Sequence, residues 1–278
     1  MPELPEVETM RRGICGAIGG TVVKAHKCRC SKKPLAMNVT WTSLARRVKG
    51  QQIETIDRRG KRLMLKFANR WTLVIEPRMT GLMLVNDPPT DEHTRFWLEI
   101  SGGKVEQVMY WDRRGLGQVF LLDQAGLDAY LSPDRIGPDA IEISADQLRQ
   151  NLKERRIAIK VGLLDQKAIA GVGNIYASEI LHLAGIDPRK KCNRISKNDW
   201  ELIHQKTLLV LNTAIKHEGS TLSDGTYRNA LNDPGSYQNE HRVYDRESET
   251  CPTCQQGKVQ RVVQAQRSTY FCSACQKK

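Results

Sequence analysis

The 278-residue chain has no apolar run approaching the roughly 18 residues that would span a membrane. It does not open with a basic stretch leading into an apolar one, as a secretory signal would; the first residues are acidic, with Glu3, Glu6 and Glu8. No basic amphipathic helix stands out, and there is no internal repeat or low-complexity tract. These absences lead us to expect a soluble, cytoplasmic protein without a membrane partner. Acidic residues are the scarcer charge: 31 Asp and Glu stand against 43 Lys and Arg, a net charge of +12 with a pI near 9.4. That imbalance suits a polyanionic partner, nucleic acid ahead of a membrane surface. Residues 252–278 contain no Asp or Glu, although Lys258, Arg261 and Arg267 lie among them.

Disulfide chemistry is not expected in a reducing compartment. Of eight cysteines, Cys15, Cys28, Cys30 and Cys192 are scattered, and Cys28-Arg29-Cys30 is too tight for an ordinary metal site. The other four form CPTC and CSAC, separated by seventeen residues. Two C-x-x-C knuckles at that spacing point to one tetrahedral zinc per chain, held by Cys251, Cys254, Cys272 and Cys275. Four thiolates leave no open coordination position, so the zinc is expected to be structural. KVQRVVQAQRSTYF, between the knuckles, reads as two short strands and a turn.

Many short runs rich in branched and aromatic residues follow the N-terminal segment. VVKAHKC, RLMLKF, TLVI, GLMLV, FWLEI, VEQVMYW and QVFLL are separated by turn clusters, which suggests a β-sandwich or barrel. Punctuation thickens over 132–138, and the pattern then turns helical over 145–153, 158–165, 174–184 and 197–216. Residues 219–241 read as a long loop, a feature that is usually functional or disordered. In AGVGNIYASE, Asn174 stands where an N-cap would sit, and a helix start is a ready phosphate site. A tight helix–helix turn would read the same way. At the N-terminus, Pro5 can open a helix at its first turn, with Glu6 and Glu8 favourably placed near its positive end. That account leaves Pro2 and Glu3 unexplained.

MPELPEVET, the lysine of RRGKR, GVGNIYASE and CPTC…CSAC occur in one order across the chain. Together they resemble the bacterial formamidopyrimidine-DNA glycosylase family, related to endonuclease VIII. The resemblance implies an α+β multidomain fold with DNA in the cleft between two lobes. Residues 1–132 would form an N-terminal β-sandwich with an N-terminal helix, 139–241 a helix-two-turn-helix domain, and 242–278 a β-hairpin zinc finger. It further implies a bifunctional glycosylase and abasic-site lyase, acting as a monomer on duplex DNA that carries oxidised purines or abasic sites. Removal of Met1 would free the Pro2 secondary amine, which belongs to a class of group titrating near pH ~8. That amine would attack C1′ and form a Schiff base, followed by β,δ-elimination. By the same resemblance Glu3 carries protons, Glu6 shapes the site, and Lys61 contacts the lesion nucleotide and its phosphate. Asn174 and Arg267 would grip phosphates so that the base leaves the stack.

The family fills the resulting hole with Met, Arg and Phe. Met79 and Arg114 match, while Leu116 replaces the phenylalanine and forgoes a stacking contribution of about 1–3 kcal/mol. Glu76-Pro77 replaces the usual His-Leu, and Glu76 would repel phosphate unless it were paired with Arg78 or turned away. Two alternatives compete. An endonuclease VIII-like preference for oxidised pyrimidines is disfavoured by Pro-Glu-Leu-Pro-Glu in place of Pro-Glu-Gly-Pro-Glu. A non-catalytic zinc-containing damaged-DNA-binding protein would have no use for Pro2, Glu3 and Lys61.

Overall fold

The computed structural model describes residues 2–30 and 33–277; Met1, whose removal the expected chemistry requires, lies outside the described residues. By packing, the chain divides into two units, Met1–Ser132 with His217–Gln238 and Pro133–Lys216 with Asn239–Lys278. This grouping differs from the three-part reading. The segment expected as a loop of the helical domain packs with the first unit over residues 217–238, and the hairpin finger packs with the helices.

The first unit runs α1 (Leu4–Ile14), β1 (Thr21–Lys27), β2 (Ala36–Met37), α2 (Trp41–Val48), β3 (Ile53–Arg59), β4 (Arg62–Phe67), β5 (Thr72–Glu76), β6 (Gly81–Leu84), β7 (Thr94–Ser101), β8 (Gln107–Asp112), β9 (Gln118–Leu122) and α3 (Gln124–Tyr130). The strands form two sheets, ordered β1-β7-β8-β6 and β2-β9-β5-β4-β3. Alternation along each strand decides which side chains enter the core. On β4, Leu63, Leu65 and Phe67 join Val22, Leu82, Phe96 and Tyr110 of the other sheet in one buried cluster. Met64 and Val74 face the opposite way and pack under Leu127 of α3. Val7, Met10 and Ile14 carry α1 onto the shared core.

The second unit contains α4 (Ala145–Leu152), α5 (Ile159–Leu164), α6 (Asn174–Leu183) and α7 (Lys197–Lys216), then β10 (Val259–Gln264) and β11 (Arg267–Cys272). The β10–β11 hairpin turns through Ala265 and Gln266 with φ of +47° and +60°. Two residues at positive φ match the right-handed twist of the flanking strands. Among the described residues, no helix is long and apolar enough to cross a membrane.

Candidate active site and nucleic-acid interface

The start of α1 is built around two glutamates. Glu3 is the N-cap and Glu6 the third helical residue, joined in a reciprocal capping box, with the Glu3 N–H donating to Glu6 Oε2 at 2.8 Å. Pro2, immediately before the cap, is buried. The other carboxylate oxygen of Glu6 accepts from the Ser220 N–H at 2.9 Å. Glu6 therefore braces the N-terminus against the 217–238 segment. Gly219 has φ +82°, and a side chain there would meet Glu6 Oε1 at 2.8 Å and the Tyr227 ring at 3.0 Å. Tyr227 donates to the Glu218 carbonyl at 3.0 Å. Burial, with the Glu6 charge adding to it, pushes its hydroxyl pKa well above the ordinary value.

Lys61 lies in the two-residue turn between β3 and β4, behind Gly60 with φ +56°. Arg58 holds this turn, donating from Nη1 to the Gly60 carbonyl at 3.0 Å and from Nε to Glu8 Oε2 at 3.2 Å. Glu8 also accepts from Arg11 at 2.9 Å and Arg12 at 2.8 Å. Burial opposes its charge, but hydrogen bonds from Arg11 and Arg12 and the charges of Arg11 and Arg58 prevail, and its pKa falls to about 2. Sequence reading assigned Glu8 only a helix-end role and missed Arg58, whose partner lies far away in the chain.

Met79, Arg114 and Leu116 form an exposed edge, with Met79 38% and Leu116 36% accessible. They sit on two loops tied together by the buried Asp112. Thr80 Oγ1 donates to Asp112 Oδ1 at 2.5 Å, and the Gly117 N–H donates to Oδ2 at 2.8 Å. Thr80 Oγ1 in turn accepts from the Arg114 N–H at 3.0 Å. Arg95, itself buried, donates twice to the Asp112 carbonyl, at 2.9 and 2.6 Å. Glu76 is paired, as its position required: Arg62 lies 2.9 Å away and Arg78 2.7 Å away, and the Tyr130 hydroxyl donates to it. Two guanidiniums on one carboxylate leave this corner net positive.

In the second unit, Asn174 is the first residue of α6 and Gly173 is its N-cap, with no side-chain capping bond. The expected capping role is thus corrected. The Asn174 side chain instead accepts from Lys160 Nζ at 2.6 Å and donates to the Ser268 carbonyl at 3.0 Å. Lys160, which sequence reading did not single out, is fully buried and also donates to Ser268 O at 3.0 Å and Thr269 Oγ1 at 2.7 Å. These bonds fix the Asn174 turn to the strand that begins with the exposed Arg267. Nearby, the fully enclosed Glu179 accepts the N–H groups of Arg242, Val243 and Tyr244 at 2.9, 3.0 and 2.8 Å. Burial still raises its pKa.

Cys251, Cys254, Cys272 and Cys275 place their sulfurs within 4.8 Å of one another, with Cys251–Cys275 at 3.7 Å and Cys254–Cys272 at 3.8 Å. A tetrahedron with metal–sulfur bonds of about 2.3 Å has edges of about 3.8 Å, so this donor set fits such an ion. Hydrogen bonds from the Gly257 and Gln256 N–H groups lower the Cys254 thiol pKa to about 6. A Cβ at Gly257 would meet Cys272 Sγ at 2.7 Å. His182 of α6 joins both knuckles, bonded to Thr253 Oγ1 at 2.9 Å and Gln276 Oε1 at 3.2 Å. Burial lowers its pKa. The remaining four cysteines form no disulfide.

Comparison with known proteins agrees with this architecture. Residues 1–119 match the formamidopyrimidine-DNA glycosylase N-terminal domain, and residues 135–226 match the formamidopyrimidine-DNA glycosylase H2TH domain. A formamidopyrimidine-DNA glycosylase of Chloroflexus aurantiacus is 39% identical over 99% of this chain and 98% of its own. The Lactococcus lactis Fpg protein bound to DNA containing an abasic site superposes with a TM-score of 0.86 at 31% identity, covering 99% of this chain and 100% of that one. A MutM protein bound to DNA containing carbocyclic 8-oxo-G gives 0.85 at 32% identity, with both chains fully covered. A two-sheet domain opening on a Pro-Glu helix, followed by a helix-two-turn-helix unit with a four-cysteine hairpin, defines a DNA glycosylase of base excision repair. The chain belongs to the formamidopyrimidine-DNA glycosylase family.

Proposed function

We propose that this glycosylase removes oxidised purines from duplex DNA and cleaves the abasic site it creates, with Pro2 as nucleophile. The observation that carries this reading is the Glu3–Glu6 box, which fixes the residue beside Pro2 and ties it to the buried Ser220 of the 217–238 segment. The Pro2 nitrogen, freed by removal of Met1, attacks C1′ of the damaged nucleotide. The glycosidic bond breaks, and the base departs with its electron pair and a proton. Glu3 supplies protons to the opening sugar and the leaving groups. The amine nitrogen loses its proton, and its lone pair forms an iminium with C1′ as the C1′–O4′ bond breaks and O4′ takes a proton from Glu3; the iminium acidifies C2′. Loss of that proton expels the 3′ phosphate, and a second elimination expels the 5′ phosphate.

Lys61, held in its turn by Arg58 and Glu8, contacts the lesion nucleotide and its phosphate. Asn174 and Arg267 hold the backbone, while Met79, Arg114 and Leu116 enter the space the base vacates. Arg62 and Arg78 neutralise Glu76, which keeps its charge from repelling the backbone. Zinc on the four cysteines supplies no chemistry to the reaction; it holds the hairpin that presents Arg267. Each chain carries every residue named, which favours a monomer. The preference for purines draws on the 8-oxo-G complex of the structural relative and on Leu4 in the Pro-Glu-Leu-Pro-Glu motif.

Borohydride trapping on a duplex carrying 8-oxoguanine opposite cytosine tests the reading, with Pro2→Gly and Glu3→Gln alongside. A covalent adduct at residue 2, lost or displaced in the variants, is expected. The absence of any adduct with this lesion, a formamidopyrimidine or an abasic site would overturn the reading in favour of a non-catalytic DNA-binding protein.

A further inference from the structure

Arg113 lies in the loop between β8 and β9, beside Arg114, whose N–H is fixed by Thr80. Its Nη2 donates to Thr226 Oγ1 at 2.8 Å. Thr226 is buried and belongs to the 217–238 segment of the same unit. Its hydroxyl accepts this bond and can also donate to the Asp224 carbonyl, 3.4 Å away. The Thr226 N–H donates to Asp224 Oδ1 at 3.1 Å, across a turn in which Gly225 has φ +60°. Upstream, this segment holds Glu6 through the Ser220 N–H. One stretch of chain therefore touches the carboxylate beside the N-terminal cap and, separately, the loop that carries Arg114 and Leu116.

We infer that Arg113 and Thr226 form a latch that sets the position of the 217–238 segment, making Arg113 a positioning residue for selecting the damaged base. This inference rests on the proposed glycosylase activity. A nucleotide brought to Pro2 carries its base past Glu6 and the segment that holds it, so the segment's position decides which bases fit. An abasic sugar offers that segment nothing to contact. The latch therefore matters for base excision and not for strand cleavage at an abasic site. Its donor is a guanidinium, and a bond of that kind exceeds a neutral one in strength.

The test compares Arg113→Ala, Thr226→Val, Thr226→Ser and the Arg113→Ala/Thr226→Val double variant of the full chain. Amide hydrogen exchange over residues 222–228, measured without DNA, is expected to quicken in Arg113→Ala and Thr226→Val and to stay at the parent rate in Thr226→Ser. The single-turnover rate of 8-oxoguanine excision is expected to fall about tenfold in each of the first two, close to the lower limit for hydrogen bonds to charged groups because Arg113 is exposed. The double variant should be no worse than either single one, and cleavage of a preformed abasic site should stay at the parent rate. Unchanged exchange, an equal fall in abasic-site cleavage, or additive losses in the double variant would overturn the latch. If the parent protein excises no base at all, the glycosylase reading fails, while the exchange measurement still decides whether the latch exists.

Discussion

Glu8 does more for the N-terminal geometry than its place on a helix would suggest. Through Arg58 it links α1 to the turn that presents Lys61, and Arg11 and Arg12 balance its charge from the helix side. Its folded pKa of about 2 lies below its ordinary 4.5. The unfolded chain therefore takes up the proton first as pH falls. The stability contributed by the Glu8 charge is present above pH ~4.5 and is lost as pH drops towards ~2. The full shift would correspond to about 3 kcal/mol, but Arg12 is exposed and screened by solvent, so about 1–2 kcal/mol is the sounder figure. Glu8→Gln should lower unfolding free energy by about that amount at neutral pH, read by urea denaturation. The gap to the parent protein should narrow progressively between about pH 5 and pH 2. A gap independent of pH would mean that the ion pairs at Glu8 contribute nothing and that the loss is one of packing alone.

Among elements, α1 and the 217–238 segment are in unusually close contact. A Cβ at Gly13 would fall on the Ala230 side chain, and the Ala230 carbonyl accepts from the Val85 N–H at 2.9 Å, which holds the segment in place. Helix propensity alone says that Gly13→Ala should stabilise α1 by about 1 kcal/mol. The contact says that it should instead destabilise by about 1–3 kcal/mol through overpacking. Thermal unfolding is expected to show the loss, and Ala230→Gly on the same background should restore stability. Such contacts could not be read from the sequence, because the partners lie far apart in the chain. The same holds for Glu8 with Arg58, Thr80 with Asp112, and Lys160 with Thr269, which are 50, 32 and 109 residues apart. The strands RLMLKF and QVFLL and the helix α7 were legible to the residue, since each ends where its apolar pattern ends. Two short helices, α2 and α3, were not. Their caps, Thr40 and Asp123, are present, but eight and seven residues give the helical period too few turns to stand out among strands. The cysteine cluster was legible because its ligands come in local pairs. Pro2 and Glu3 had meaning only through the family resemblance, since nothing in the residue pattern of an N-terminal arm suggests chemistry there.

At the scale of the whole molecule, the two units draw on different sources of order. The first has two sheets and α1 around a large apolar core. The hairpin of the second has a small cluster, Val243, Val259 and Tyr270, with Tyr244 packed against it. Ordering the backbone costs about 1–2 kcal/mol per residue, and Val259, Tyr270 and the fully buried Phe271 offset only part of that over the length of the hairpin. A structural zinc on the four cysteines would supply what is missing, since such sites carry apparent free energies of about 10–16 kcal/mol in finger peptides. Metal analysis should therefore find one zinc per chain, lost in Cys275→Ser. Chelation should release amide protection over β10 and β11 while leaving the sheets of the first unit protected. DNA binding should weaken in a particular way. Once the hairpin no longer presents Arg267, the slope of log affinity against log salt should fall by about 0.9, the share of one phosphate contact on duplex DNA. Arg267→Ala with zinc retained should give the same fall in slope without loss of protection. If chelation left both the hairpin and the slope unchanged, the four cysteines would not be a folding metal site. The net charge of +12 would then have to account for binding without the finger.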